Sequence, residues 1–187
     1  NELRIRRLIY ESLENSIKEA EEYGKRLFEK SLDDKDFLQI YLGTGTIASQ
    51  NPVKFSKQEF IDAEDPISLI PEELANKYKY IENAPISADF NHSNGIGIVG
   101  EKRQLYELLK NITLDIVIRH FYKDVHLVYM LERDYLEQFQ WVRWLKNVDN
   151  EMLDVNNIIC DEESKNLILE NIYAILSMRE AQLAENH

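Results

Sequence analysis

The pattern that most restricts the fold of this chain lies at residues 85–121, PISADFNHSNGIGIVGEKRQLYELLKNITLDIVIRHF. Short apolar segments run into Gly100, and helical periodicity begins directly after it. Leu105, Leu108, Leu109, Ile112, Ile116 and Val117 repeat at helical spacing over residues 102–121, giving a broad apolar face that has to be buried. The predicted unit is a strand at 97–99, a turn at Gly100 and a helix. That is the order in which many α/β proteins hold a phosphate at a helix N-terminus.

The chemistry of such a site is missing. Gly95, Gly97 and Gly100 fit the spacing G-x-G-x-x-G. The gaps hold Ile96, Ile98 and Val99, and β-branched residues favour a strand over a tight turn. A phosphate loop, G-x-x-x-x-G-K-[ST], needs Lys on the phosphates and a hydroxyl on Mg²⁺. Counted from Gly100, the required Gly, Lys and Ser/Thr positions hold Leu105, Tyr106 and Glu107; counted from Gly95, Glu101 and Lys102 follow Gly100. Both registers fail, and Glu101 places a negative charge where an anion would dock. The sequence favours a structural strand–turn–helix over a working nucleotide site.

Along the rest of the chain, residues 2–30 read as one long helix with a narrow seam of Tyr10, Leu13, Ile17, Ala20, Gly24 and Leu27. Glu14–Lys18, Glu21–Lys25 and Glu22–Arg26 are i,i+4 pairs on it. The seam suits either a neighbouring helix outside the chain or an arm packed on its own domain. Residues 36–42 read as a strand ended by the glycines at 43 and 45. Ser56 with Glu59 forms a candidate capping box, and Pro71 opens a helix predicted to reach residue 81. Residues 125–131, VHLVYML, read as a buried strand, and 135–145 as a short aromatic helix. Trp141 and Trp144, three apart on it, read more readily as core than as a binding platform. A strand at 156–160 follows, then a helix capped by Asp161, with Leu169, Ile172, Leu176 and Leu183 as its buried stripe. The alternation predicts an α/β fold, layered, with a largely parallel sheet. The expected division is an N-terminal helical arm at 1–31 and an α/β domain at 32–187.

Net charge is −12 over 187 residues, which argues against nucleic acid or an anionic membrane surface as a direct partner. No apolar run reaches the roughly 18 residues of a membrane span. Because the chain begins at Asn1 rather than Met, the expectation is a piece of a longer protein. Cys160 is the only cysteine, so no thiol cluster is available. His92, His120 and His126 do not stand at metal-ligand spacing; His120, at a helix end, and His126, in a strand, read as structural. No catalytic, cofactor-binding or metal residue is assigned.

Several stretches together resemble one family. The segment 25–45, KRLFEKSLDDKDFLQIYLGTG, carries Arg26, Phe28, Glu29, Lys30, Asp36, Phe37, Leu38, Gly43 and Gly45 at the family's positions. GIVG at 97–100 with its helix, WVRWL at 141–145 and MREAQLAE at 178–185 complete the set. Together they resemble the domain that precedes the ATPase modules of the EssC and EccC membrane-anchored ATPases of type VII secretion. Tyr41, Lys146 and Asn147 depart from the family pattern.

The resemblance implies a degenerate relative of a P-loop ATPase domain. It implies a scaffold between a membrane anchor and three downstream modules akin to FtsK and SpoIIIE, on the cytoplasmic side of the cell membrane. ATP and Mg²⁺ would belong to those modules. Partners implied are the modules themselves, an EssB-like pseudokinase domain and a ubiquitin-like component. Tyr10, Leu13, Ile17, Trp141 and Trp144 are the interface candidates. The competing expectation is a nucleotide-binding domain using Lys102, Arg103 and Glu132; a dinucleotide site at Gly95 and Gly97 is a third.

Overall fold

A computed structural model of the chain describes residues 1–10, 12–56, 66–93 and 95–185. They form two compact units, Asn1–His120 and Phe121–His187. Glu59 of the expected capping box lies outside the described residues.

In the first unit, α1 (Glu2–Ile9) and α2 (Leu13–Glu21) come before an antiparallel pair, β1 (Gln39–Ala48) and β2 (Tyr80–Asp89). Helix α3 (Pro66–Lys77) lies between these strands in sequence, and α4 (Lys102–Arg119) follows them. Helix α2 and β1 pack on α4, and α1 packs on β2. Phe37, Ile40, Ala84, Ile112, Ile116 and Ile118 form the apolar core.

The single helix expected at 2–30 is two helices and a turn. Tyr10 leaves helical geometry (φ −111°, ψ 95°), and its hydroxyl donates to Gln39 Oε1 at 2.9 Å. Ser12 starts a new helix, its Oγ accepting the Asn15 N–H at 3.4 Å. After Glu21 the chain turns through Tyr23 (φ 51°). The expected Glu22–Arg26 pair does not form: Arg26 Nε donates to Glu29 Oε2 at 2.9 Å. A seam counted in heptads cannot register these side-chain bonds, which end the helix locally.

Strand β1 starts later and runs further than expected. The glycines expected to end it are inside it, Gly43 opposite Ile86 and Gly45 opposite Ala84, with register shifts beside each. Gly43 has φ +146°, which L side chains rarely adopt, so the bulge there calls for glycine. The helix expected at 71–81 begins at Pro66 and ends at Lys77, with Pro71 inside it. Pro85 is buried within β2 opposite Thr44. The strand expected at 97–99 is absent: those residues pair with no strand, and Val99 is fully exposed.

In the second unit, β3 (Tyr129–Met130) pairs in parallel with β6 (Ile158–Ile159), and β4 (Asp149–Asn150) pairs antiparallel with β5 (Val155–Asn156). Of the buried strand expected at 125–131, only Tyr129–Met130 is strand, and Val128 and Met130 are exposed; the segment is tied by Leu127 N–H to Asn147 O, Tyr129 N–H to Asn157 O and Leu131 N–H to Ile159 O. In place of the aromatic helix stand short 3₁₀ turns, Arg133–Tyr135 and Gln140–Trp144. Buried Asn150 ties the unit together, its Nδ2 within 3.0 Å of both Asn157 Oδ1 and Asn171 Oδ1.

Helix α5 (Glu162–Glu185) starts where expected, Asp161 Oδ1 accepting the Ser164 N–H at 2.9 Å. Bonds from the Ser164 N–H and hydroxyl, with Arg133, hold the Asp161 carboxyl down to about 2. Its expected buried stripe is not realised: Ile168 is buried, while Leu169, Leu176 and Leu183 are exposed. The fold is thus mixed helix and strand with small sheets. Among the described residues, the predicted largely parallel sheet is reduced to the β3–β6 pair.

Candidate functional site

The glycine loop and the start of α4 were the first candidate. Glu101 is the N-cap of α4 in extended geometry (φ −69°, ψ 143°) and makes no capping bond with its side chain. Side chains added at Gly95 or Gly97 would meet nothing within 4 Å, and neither residue has a left-handed backbone. The loop therefore has no close approach that glycine alone permits, unlike a phosphate cradle. A groove of about 520 Å³ beside the helix start is lined by Leu42, Glu101, Arg103, Gln104, Glu107 and their neighbours. Its two carboxylates outnumber its one guanidinium, an unfavourable field for a polyphosphate. Glu132, the other residue of the nucleotide reading, is exposed before a 3₁₀ turn.

A second feature was not foreseen: a buried ionic cluster joining α2, residues 29–41 and α4. Arg119 Nε lies 3.3 Å from Asp115 Oδ1, both side chains 4% exposed. Arg119 also bonds Glu29 and Ser16. The other Asp115 oxygen accepts the Tyr41 N–H at 3.1 Å. Lys30 Nζ donates to Gln39 O at 2.6 Å and lies 3.7 Å from Asp36. Burial pushes Lys30 down, opposed by Asp115 and Asp36. Burial likewise pushes Asp115 up, opposed by the Tyr41 N–H and by Arg119 and Lys30.

His120 ends α4 fully buried. Its Nε2 accepts the Leu38 N–H at 3.1 Å, so the proton sits on Nδ1, which faces Ile116 O at 3.1 Å. Burial holds this imidazole neutral, its pKa lowered to about 4. The groups of the cluster face acceptors and donors of the fold itself, so its work is to clamp elements. The sequence offered one signal for it: Asp115 and Arg119 stand i,i+4 in the most apolar half of a helix.

The predicted interface residues fall in both units and are placed differently. Tyr10, Leu13 and Ile17 are half-buried and do not share one continuous helix. Trp141 is half-buried, and among the described residues its buried Nε1–H finds no acceptor. Trp144 is 84% exposed, against the expectation of a core role, because Phe139 and Val142 fill the core beneath the turn. His92 is exposed, its Nδ1 3.0 Å from Asp89 Oδ2, and His126, expected as a structural residue in a strand, is exposed and lies before β3. Among the described residues no group of three or more His, Cys, Asp or Glu is arranged to hold a metal ion. No helix among them is long and apolar enough to cross a membrane.

No protein-family model matches the chain. Comparison with curated proteins shows homology to type VII secretion proteins over 86% of its length. It is 25% identical over 160 residues to the type VII secretion system protein EssC of Staphylococcus aureus (strain MSSA476). It is 24% identical over 162 residues to the ESX secretion system protein YukB of Bacillus subtilis (strain 168). The chain spans 11% of the length of these curated relatives.

Proposed function

From homology to EssC and YukB as the premise, we propose that this chain is a coupling domain of a type VII secretion ATPase. It links a membrane anchor to downstream motor modules and does no chemistry itself. The homology over 86% of the chain carries the assignment to secretion. The coupling role over a nucleotide role is supported by a glycine loop without Lys and Ser/Thr at the required positions, bordered by Glu101 and Glu107. The descent from an ATPase-like domain is supported by α4 following that loop and by the parallel β3–β6 pair. In this reading the segment 1–31 faces the anchor on the cytoplasmic side of the membrane. Trp144 presents a contact surface to a secretion component such as an EssB-like pseudokinase or a ubiquitin-like protein.

Calorimetry of the 187-residue chain with Mg-ATP and Mg-ADP tests the non-catalytic part. The expected result is no saturable heat at millimolar nucleotide. Stoichiometric binding lost in Lys102→Ala would replace the coupling reading with a regulatory or hydrolytic nucleotide site. Co-purification of secretion components with the full-length protein tests the other part: Trp144→Ala is expected to weaken recovery of one of them without lowering the amount of folded protein.

A further inference from the structure

The second unit holds a groove of about 420 Å³ along α5. One wall is a helix face, Ile172, Ile175, Leu176 and Arg179, spaced i, i+3, i+4 and i+7. Val128 and Met152 also line it. Leu176 is 56% exposed, Met152 70% and Val128 43%, so the groove turns apolar surface to water. Trp141 and Trp144 do not line it.

Its charge runs against that of the chain. Lys123, Lys146 and Arg179 line it with Asp149 and Glu151. Lys146 is occupied by Asp149 at 2.7 Å. Among the described residues, Lys123 and Arg179 make no ion pair. Among the described residues Glu151 makes no ion pair either, so two uncommitted cations stand against one uncommitted carboxylate beside an apolar trough, a net positive lining in a chain of net charge −12. The wall is made of side chains at helical spacing and presents no strand backbone, so a helix suits it better than an added strand.

We propose that this groove receives an amphipathic helix with acidic flanks, supplied by another protein. The apolar anchors of the helix cover Ile172, Ile175 and Leu176, and its carboxylates meet Lys123 and Arg179. This goes beyond the coupling role and does not depend on it: nucleotide binding to the chain would leave the groove untouched.

The test is fluorescence anisotropy of a labelled, hydrocarbon-stapled helix of about 15 residues, long enough to span the wall. Leu occupies its i, i+3, i+4 and i+7 positions, flanked by Glu, and a second helix carries Lys in place of Glu. The expected result is saturable binding of the Glu helix, with the Lys helix at least about tenfold weaker. Leu176→Asp is expected to weaken the Glu helix at least about tenfold. The double variant Lys123→Glu/Arg179→Glu, which alters only exposed charges, is expected to reverse the preference. Failure of the Glu helix to saturate, equal affinity for both helices, or indifference to the variants would overturn the proposal. So would light scattering that finds a dimer dispersed by Leu176→Asp, because the face would then be covered by a second copy.

Discussion

Arg119 stands one helical turn beyond Asp115, 3.3 Å from its carboxylate, and both are withdrawn from water in the most buried half of α4. Desolvating such a pair costs about as much as the attraction returns, so its removal in part is what shows. Arg119→Met leaves Asp115 and Glu29 facing one another without their shared cation. The expected loss is about 3–5 kcal/mol in urea unfolding. Arg119→Lys is expected to recover only part of that, since a compact ammonium lacks the planar fork with which the guanidinium spans Asp115, Glu29 and Ser16.

His120 makes stability depend on pH. Its neutral form accepts the Leu38 N–H, and its folded pKa, about 4, lies below the ordinary 6.5. Between those values the unfolded chain binds the proton and the folded chain does not, so stability is complete above 6.5 and falls as pH drops towards 4. Denaturant midpoints measured from pH 7 to pH 4 are expected to decline. The part of that decline lost in His120→Gln is the histidine's own share, up to about 3 kcal/mol.

Trp144 and Phe139 separate surface from core within one turn of chain. Trp144→Ala is expected to shift stability by no more than about 0.5 kcal/mol, whereas Phe139→Ala costs about 3–5 kcal/mol. Unfolding of the Trp144→Ala chain at ordinary temperature would remove this residue from the interface. Trp141→Phe deletes a donor that has no acceptor and is expected to cost no more than about 1 kcal/mol.

Glycines behave oppositely at two sites. Gly43→Ala forces a side chain into φ +146° and is expected to cost about 1–3 kcal/mol. Gly97→Ala enters open space with an ordinary backbone and is expected to be neutral or stabilising by about 0.4–1 kcal/mol. Thermal unfolding of the two variants decides both.

Helix α4 was legible almost to its ends, because eighteen residues of strong periodicity need no distant partner to declare themselves. The start of α5 was legible for a local reason too, the Asp161 cap and its acidic first turn. The strands were not. Residues 97–99 have strand-like composition and no partner, while β1 continues through two glycines because β2 is there to pair with. The break at Tyr10 follows from its bond to Gln39, a residue far along the chain. The ionic cluster was hidden because Lys30, Asp115 and Arg119 are brought together only where β1 and α2 close over α4. Of the candidate surface, the tryptophans were seen, but which one faces water depended on how Phe139 packs.

Among the described residues the β1–β2 pair has no third strand on either outer margin, the kind of open backbone ladder that invites strand addition and aggregation. Here side chains plug them. Asp115 takes the Tyr41 N–H and His120 takes the Leu38 N–H on one margin, while Arg7 holds Asn83 O on the other. The buried Asp115 carboxylate and His120 imidazole of α4 therefore occupy backbone donors that a strand of a second copy would otherwise pair with. Losing them would open a sticky seam as well as loosen a helix.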